Sequence, residues 1–275
     1  MTTPRSRHSG RGRSLPLGIA AVAVVGASAL TFGHAASLGG ISSADVASFS
    51  VSGTVSVPTT TLPPRPNCGA GDNAVACVVP VGTTIDVKKL KWKADIVVLG
   101  TIDGDLEVKN GNITIGAGGL VTGKITQKGD GGVTVLAGGN VGKGIKEDGN
   151  GSVDISGTVA DKVEEKGDGN LIIGPNGSVG DDAKESGPGN LVVNGTVADK
   201  AEEKDAGDLT VNGGVDEAKE SGPGNLVVNG TVTKKAEEND DGDLIIGLDG
   251  VVGSAKESDA GELLCGTEFG LGACP

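Results

Sequence analysis

The stretch AKESGPGNLVVNGTV at Ala183–Val197 returns unchanged at Ala218–Val232, so the chain is built from copies. Each copy opens on an aliphatic residue, and successive opening residues lie 17 to 20 positions apart. The opening residues are Ile113, Val133, Val153, Leu171, Leu191, Leu209, Leu226, Leu244 and Leu263. This period, with glycine in every copy and apolar residues at alternate positions, is typical of β-solenoid coils and excludes helix.

The spacing inside the copies keeps one side of each strand facing the core. A second small or aliphatic residue, here called the anchor, precedes the next opening residue by eight positions in every copy. The anchors are Ile125, Ile145, Val163, Ala183, Ala201, Ala218, Ala236 and Ala255. The gap from opening residue to middle valine is six or eight, as in Leu191–Val197 and Leu171–Val179, and adding two residues preserves the alternation. The shorter gaps from Val215 to Ala218 and from Val252 to Ala255 predict a bulge or a tighter corner.

We therefore predict an all-β fold, namely a single-stack β-solenoid that is a right-handed parallel β-helix of about nine coils of 17–20 residues. Fifty glycines, three phenylalanines, one tryptophan and no tyrosine suit such a stack better than a globular core. The Asn-Gly and Asp-Gly pairs are expected at corners that need positive φ.

Charge and histidine content exclude several function classes. The net charge of −13 argues against nucleic-acid binding, which needs a basic face. Both histidines, His8 and His34, fall in the N-terminal leader, so we expect neither histidine catalysis nor histidine metal ligands in the mature chain.

The N-terminal quarter of the chain, residues 1–67, is organised as an export signal and a linker. Residues 1–35 are predicted to be a signal peptide, with an apolar run at Leu15–Val25 and cleavage after Ala29 or Ala35. The alternative is an uncleaved membrane anchor over Leu15–Phe32. Residues 36–67 are Ser/Thr/Pro-rich and end in a semi-rigid linker. We expect a secreted or cell-surface-attached protein.

Four cysteines are expected to close loops at the two ends of the stack. Cys68 and Cys77 have the same spacing as Cys265 and Cys274, and an even count in an exported chain favours disulfides. We predict the two local pairs because short loops cost less entropy to close than long ones. This divides the folded part into an N-terminal cap at 68–95, repeats at 96–264 and a C-terminal Cys loop at 265–275.

The first predicted strand carries a lysine face. Leu90, Trp92 and Ala94 alternate with three lysines, Lys89, Lys91 and Lys93. Lysines on an exposed edge strand prevent pairing with another chain, and the alternative is that they bind an anionic polymer.

Stacking the coils predicts columns of charge. The residue after the anchor alternates in sign from coil to coil: Lys146, Glu164, Lys184, Glu202, Lys219, Glu237 and Lys256. The true repeat is therefore a pair of coils. Two places after the anchor the column does not alternate, and it consists of Glu147, Glu165, Glu185, Glu203, Glu220, Glu238 and Glu257. We expect these glutamates to splay at an exposed corner and pair with Lys166, Lys204 and the flanking lysine columns. The alternative is a Ca²⁺ site with Asp168, Asp241 and Asp243.

Two motifs in the segment Ile96–Ile125 have the form of apolar-x-Gly-x-apolar rungs: Gly100-x-Ile102-x-Gly104-x-Leu106 and Val121-Thr-Gly-Lys-Ile125. On these motifs the segment resembles the bactofilin family of polymer-forming β-helix proteins. The resemblance is best over residues 96–145 and extends loosely over 96–264. It implies a right-handed β-helix that stacks end to end into filaments without nucleotide. The chain departs from the family in its signal peptide, a longer Gly/Asp insert in each coil and terminal Cys loops, which are expected to cap the stack.

Together these features predict an exported, non-enzymatic structural β-solenoid: a surface or extracellular scaffold, spacer or fibre subunit. The alternative is a surface binding module for a divalent cation or polysaccharide. We expect no cofactor apart from the Ca²⁺ alternative. The expected partners are further copies along or beside the rod, or a cell-wall or surface polymer, with membrane contact only through an uncleaved leader.

Overall fold

The computed structural model describes Cys68, residues 73–267 and residues 270–273, with side chains described up to Gly266. The predicted signal peptide, the linker and Cys274 lie outside the described residues. Within these ranges the secondary structure is strand alone, and no helix is long and apolar enough to cross a membrane.

The strands are short because each coil turns several corners. In chain order they are β1 Cys77–Val79, β2 Thr84–Trp92, β3 Ile96–Val98, β4 Thr101–Val108, β5 Ile113–Ile115, β6 Leu120–Val121, β7 Ile125–Gln127, β8 Val133–Val135, β9 Asn140–Val141, β10 Ile145–Glu147, β11 Val153–Ile155, β12 Thr158–Val159, β13 Val163–Glu165, β14 Leu171–Ile173, β15 Ser178–Val179, β16 Ala183–Lys184, β17 Leu191–Val193, β18 Thr196–Glu202, β19 Leu209–Val211, β20 Gly214–Glu220, β21 Leu226–Val228, β22 Thr231–Glu238, β23 Leu244–Ile246, β24 Val251–Val252, β25 Ala255–Lys256, β26 Leu263–Thr267 and β27 Gly270–Ala273.

The opening residues of the coils form the first sheet, here called sheet 1. It contains one strand per coil, in the order β1, β3, β5, β8, β11, β14, β17, β19, β21, β23, β26 and β27. Its strands are parallel up to β26, and β27 then adds an antiparallel strand at the C-terminal edge. The opening residues are register partners through the stack, so the predicted core alternation is confirmed.

The middle valines and the anchors form the second sheet, here called sheet 2. Five of the described coils contribute one short strand for each, and in the other five the two join into one longer strand, namely β2, β4, β18, β20 or β22. The anchors pair in register from Ile125 to Ala255, as predicted. The pairing of β18 with β20 is irregular between Val215 and Glu217, which confirms the predicted bulge before Ala218.

The stack has about ten turns, one more than predicted, because the region before Ile96 is itself a coil. Cys77 pairs with Ile96 in sheet 1, and Trp92 pairs with Val108 in sheet 2. The segment assigned to an N-terminal cap therefore supplies a complete coil, which begins at Cys77.

Each coil sends five side chains inward, two from sheet 1 and three from sheet 2. In the coil that begins at Ile113 all five are fully buried, and they are Ile113, Ile115, Val121, Ile125 and Gln127. A larger opening residue goes with a smaller anchor in the same coil, so the core volume stays similar. Val153 occurs with Val163, whereas Leu191 occurs with Ala201. Such an exchange conserves volume and is tolerated in close-packed cores.

The expectation that the corner glycines need positive φ is wrong for most of them. Positive φ occurs at six glycines, the last of which is Gly138, and at Asp259 within the described part of the chain. Later corner glycines serve close stacking instead. A Cβ at Gly167 would overlap the carbonyl oxygen of Gly149, and one at Gly187 would overlap that of Gly167.

Candidate functional site: a buried glutamate column

The seven glutamates two places after the anchors form one column inside the solenoid, here called the glutamate column. Its members are Glu147, Glu165, Glu185, Glu203, Glu220, Glu238 and Glu257. Glu147 and Glu165 are register partners, as are Glu220 and Glu238. All except Glu257 are fully buried, and Glu257 lies in the last coil with intermediate exposure.

The expectation that this column splays at an exposed corner is wrong. In a strand, residues i and i+2 point to the same side, so the position two after an inward anchor must also point inward. Lys166 and Lys204 pair elsewhere, with Glu164 at 3.5 Å and Glu202 at 3.5 Å respectively. No lysine or arginine is buried among the described residues, so the column has no buried basic partner.

One oxygen of most column carboxyls accepts a backbone hydrogen bond at the following corner. The N–H of Gly149 donates to Glu147 Oε1 at 2.9 Å, and the N–H of Gly222 donates to Glu220 Oε1 at 2.7 Å. The same bond joins Gly167 to Glu165 at 3.0 Å, Asp205 to Glu203 at 2.9 Å and Asp240 to Glu238 at 2.9 Å. These five bonds tie five of the seven anchor strands to the corners that follow them.

The second oxygen of these carboxyls is buried and has no hydrogen-bond partner. This holds for Oε2 of Glu147, Glu165, Glu203, Glu220 and Glu238, and for both oxygens of Glu185 and Glu257. An unsatisfied buried acceptor costs about 1–3 kcal/mol, and more if charged. A fully ionised column would therefore be expensive.

Burial raises the pKa of alternate members of the column. Loss of solvation is the main cause, and the neighbouring carboxyl adds to it. The pKa of Glu147 rises to about 8 beside Glu165, and the pKa of Glu257 rises to about 7 beside Glu238. The pKa of Glu185 rises to about 10 between Glu165 and Glu203, and that of Glu220 to about 10 between Glu203 and Glu238. The folded structure therefore favours the protonated form of these four carboxyls more than an unfolded chain does.

The inward position that the glutamates occupy holds other residue types in the N-terminal coils. The same inward position is occupied by Trp92 and Val108, which are register partners, and then by Gln127, which pairs with Val108 and with Glu147. Trp92 is buried and its Nε1 donates to the Val75 carbonyl at 2.9 Å. One inward column therefore passes from apolar to amide to carboxyl along the rod.

The alternating charges outside the column are in register, as predicted. Lys146 pairs with Glu164, Glu164 with Lys184, and the alternation continues to Lys256. Ion pairs run along the strands as well as between coils. Glu237 Oε2 lies 2.7 Å from Lys235 and its Oε1 lies 2.7 Å from Lys256, and these hydrogen bonds lower the pKa of Glu237 to about 2.

The donor set of the column is poor for calcium. Ca²⁺ takes six to eight oxygen ligands, whereas two neighbouring coils offer mainly their free Oε2 atoms. Asp168, Asp241 and Asp243 are not among the hydrogen-bond partners of the column carboxyls. Among the described residues, three carboxylates that could meet around one ion are those of Asp181, Asp182 and Asp199, and such exposed acidic groups are common without an ion. Calcium binding stays a prediction.

A second ladder, which the sequence reading missed, runs beside sheet 1. In most coils the side chain of the residue before the opening residue accepts the backbone N–H of its counterpart in the next coil, and the ladder is interrupted at Gly132, which has no side chain. The bonds are Asp95 to Asn112 at 2.8 Å, Asn112 to Gly132 at 3.1 Å, Ser152 to Asn170 at 3.1 Å, Asn170 to Asn190 at 2.8 Å, Asn190 to Asp208 at 2.8 Å, Asp208 to Asn225 at 2.8 Å, Asn225 to Asp243 at 3.0 Å and Asp243 to Glu262 at 3.0 Å. The signal was visible as an Asn, Asp or Ser before most opening residues.

The cysteines at the two ends of the stack agree with the predicted local pairs as far as they are described. Cys68 and Cys77 form a disulfide. Cys265 is disulfide-bonded, and its predicted partner Cys274 lies outside the described residues.

The first long strand, β2, has one buried face and one lysine face, as predicted. Leu90 and Trp92 are buried, while Lys89 and Lys91 are exposed.

No protein-family model matches the chain, and no curated protein or solved structure matches it either. The fold itself, a parallel β-solenoid of about ten turns, is compatible with a β-helix family.

Proposed function

We propose that this chain is an exported, non-enzymatic structural protein: a surface or extracellular scaffold, spacer or fibre subunit. The observation that carries the proposal is the unbroken register of the opening residues from Cys77 to Leu263. Solenoid enzymes gather catalytic groups on loops that leave the stack. The described coils vary instead by one to three residues at corners, which suits a rod about 50 Å long at strand spacing.

The ends of the two sheets differ, and this difference suggests how copies would associate. At the N-terminal edge of sheet 1 the N–H of Cys68 donates to the Val78 carbonyl at 3.0 Å, and at the C-terminal edge β27 pairs with β26. In sheet 2, β2 pairs with β4 alone, and the last strands, β24 and β25, pair with β22 alone among the described strands. We infer that the Cys loops protect sheet 1 and that sheet 2 is left for contact along the axis.

The two ends of the stack present different exposed side chains for such a contact. The N-terminal edge strand β2 exposes lysines, including Lys89 and Lys91. The last coil exposes the apolar Leu248 and Val251, at 68% and 60%, together with acidic Asp249. If copies associate end to end, the protein forms a bactofilin-like filament. If the Cys loops prevent this, it acts as an isolated capped spacer.

Electron microscopy of the purified mature protein, with and without Ca²⁺, combined with fractionation of expressing cells, tests the proposal. We expect rods about 50 Å long or threads built from them, in the secreted or surface fraction. A full-length chain found only inside the cell would contradict export, and particles without a rod shape would contradict the structural role. Reversing Lys89 and Lys91 to Glu should shorten any threads, whereas the same change at Lys143, on the side of the rod, should not.

A further inference from the structure

The glutamate column poses a problem of charge that the structural role does not explain. Six of its carboxyls are fully buried, and no described basic side chain is buried with them. Neighbouring strands lie about 4.8 Å apart, so adjacent ionised carboxyls would repel across a medium that screens poorly. The column must therefore bind positive charge, and the two candidates are protons and metal cations.

Hydrogen-bond accounting favours protons. In five members Oε1 is satisfied by a backbone N–H, while Oε2 is buried without a donor. The strand register places each carboxyl beside that of the next coil, as with Glu147 opposite Glu165 and Glu220 opposite Glu238, at a strand spacing of about 4.8 Å. Two carboxyl groups can share such a bond when one of them is protonated.

Gln127 supplies an independent observation at the start of the column. Its side chain is fully buried, and its Nε2 donates to the Gly111 carbonyl at 3.4 Å. This bond assigns the other amide atom as Oε1, which is buried without a hydrogen-bond partner. Its neighbour in the column is Glu147, and a carboxyl can donate to an amide oxygen only when it is protonated.

We propose that the glutamate column is a proton-binding site, in which neighbouring carboxyls share protons in Oε–H···Oε hydrogen bonds that end on Gln127. The column holds protons at neutral pH and releases them as the pH rises, and the coils from Glu147 onward loosen when it does so. Bound protons satisfy the free Oε2 atoms and remove the repulsion in one step. The pKa values of Glu147, Glu185, Glu220 and Glu257 are raised in accord with this.

The groups around the column do not supply an alternative charge. Sheet 1 faces it with aliphatic side chains such as Leu171, Leu191 and Leu209. The lysines and glutamates that flank each member on its own strand point outward and neutralise one another, as Glu202 does with Lys200 and Lys204. At the corners, Asp205 and Asp240 approach the column through their backbone N–H groups, and Asp148, the residue after Glu147, pairs with Lys146.

Infrared spectra of the purified protein test the proposal through the C=O stretch of protonated carboxyl groups, which is distinct from that of carboxylates. We expect this band to persist at neutral pH in the folded protein, to vanish in denaturant, and to fade on titration towards pH about 10. The double change Glu185→Gln and Glu220→Gln should weaken the band. The matched control, Glu237→Gln on the outer surface, should leave it unchanged.

Equilibrium unfolding gives a second readout that needs no variant. Each extra proton held by the folded state should change the unfolding constant about tenfold per pH unit, with stability falling from mildly acidic to alkaline pH. A folded protein without the protonated band at neutral pH would overturn the proposal. If metal analysis then found tightly bound cations, the column would be a cation site instead.

Discussion

Glu220 lies opposite Glu238 in neighbouring strands of sheet 2, and both side chains are fully buried with an unpartnered Oε2. Placing two carboxyls together in a core is unfavourable unless at least one is neutral. The repeat places these two carboxyls in adjacent strands, and their close placement makes the stability of the solenoid depend on pH.

Replacing Glu220 with Gln should remove part of that pH response. The pKa of Glu220 is raised from 4.5 to about 10 by burial and by the neighbouring carboxyls, so the folded state holds a proton that the unfolded state loses above pH 4.5. Its stabilising effect is complete below that value and disappears as the pH rises through about 10. Glu220→Gln should leave stability near pH 5 almost unchanged and flatten its decline at higher pH, by about 1.4 kcal/mol per pH unit. Urea unfolding at several pH values measures this.

Leucine at the same position provides the matched comparison. Like Glu220→Gln, Glu220→Leu removes the titrating group, but it also removes the acceptor for the Gly222 N–H, now bonded at 2.7 Å. It should therefore be about 1–3 kcal/mol less stable than Glu220→Gln at every pH. If Gln and Leu behaved alike, the backbone bond would not matter to the column.

Stacking at the glycine corners should make Gly167→Ala strongly destabilising. A Cβ there would overlap the carbonyl oxygen of Gly149 in the preceding coil, so backbone in two coils would have to separate. We expect a loss of more than about 3 kcal/mol. Gly214→Ala is the control, because nothing lies within 4 Å of its Cβ, and it should be neutral or slightly stabilising. Thermal melting of both variants checks this, and a tolerated Gly167→Ala would contradict the close stacking.

The disulfide between Cys68 and Cys77 should stabilise the first coil in particular. Closing a loop with a sequence separation of 9 is worth about 2–3 kcal/mol in the chain-entropy account. Trp92 is buried in the same coil, so its fluorescence reports on that region. In Cys68→Ala we expect Trp92 to become exposed at lower denaturant concentration than the loss of strand signal by circular dichroism. Coincident transitions in the variant would show that the loop does not act locally.

Much of the fold could be predicted because a solenoid core imposes its period on the sequence. The opening residues, the anchors and the paired insertions follow from the need to keep aliphatic side chains inward, and the structure places all of them in register. The two-coil charge pattern followed from the same alignment.

The buried column could have been predicted but was not, because glutamate is rarely found inside. Residue type and strand parity point in opposite directions at this position: glutamate suggests exposure, whereas Glu147 lies two positions after the inward Ile145, and Trp92 and Val108 hold the equivalent position in the first coils. Protonation could not be read from the pattern, since it depends on burial and on the distance between neighbouring carboxyls. The close approach of glycine corners, as at Gly167 over Gly149, likewise depends on how the coils stack.

Excising coils tests most directly the central claim that the rod is built from two-coil units in charge register. Deleting residues 183–217 removes one such unit and joins Asp182 to Ala218, so Lys219 should stack on Glu164. Deleting residues 183–200 removes one coil and stacks Glu202 on Glu164. Although it is shorter, the two-coil deletion should melt a few degrees above the one-coil deletion, and added salt should narrow the gap. A one-coil deletion that is the more stable of the two would contradict the claim.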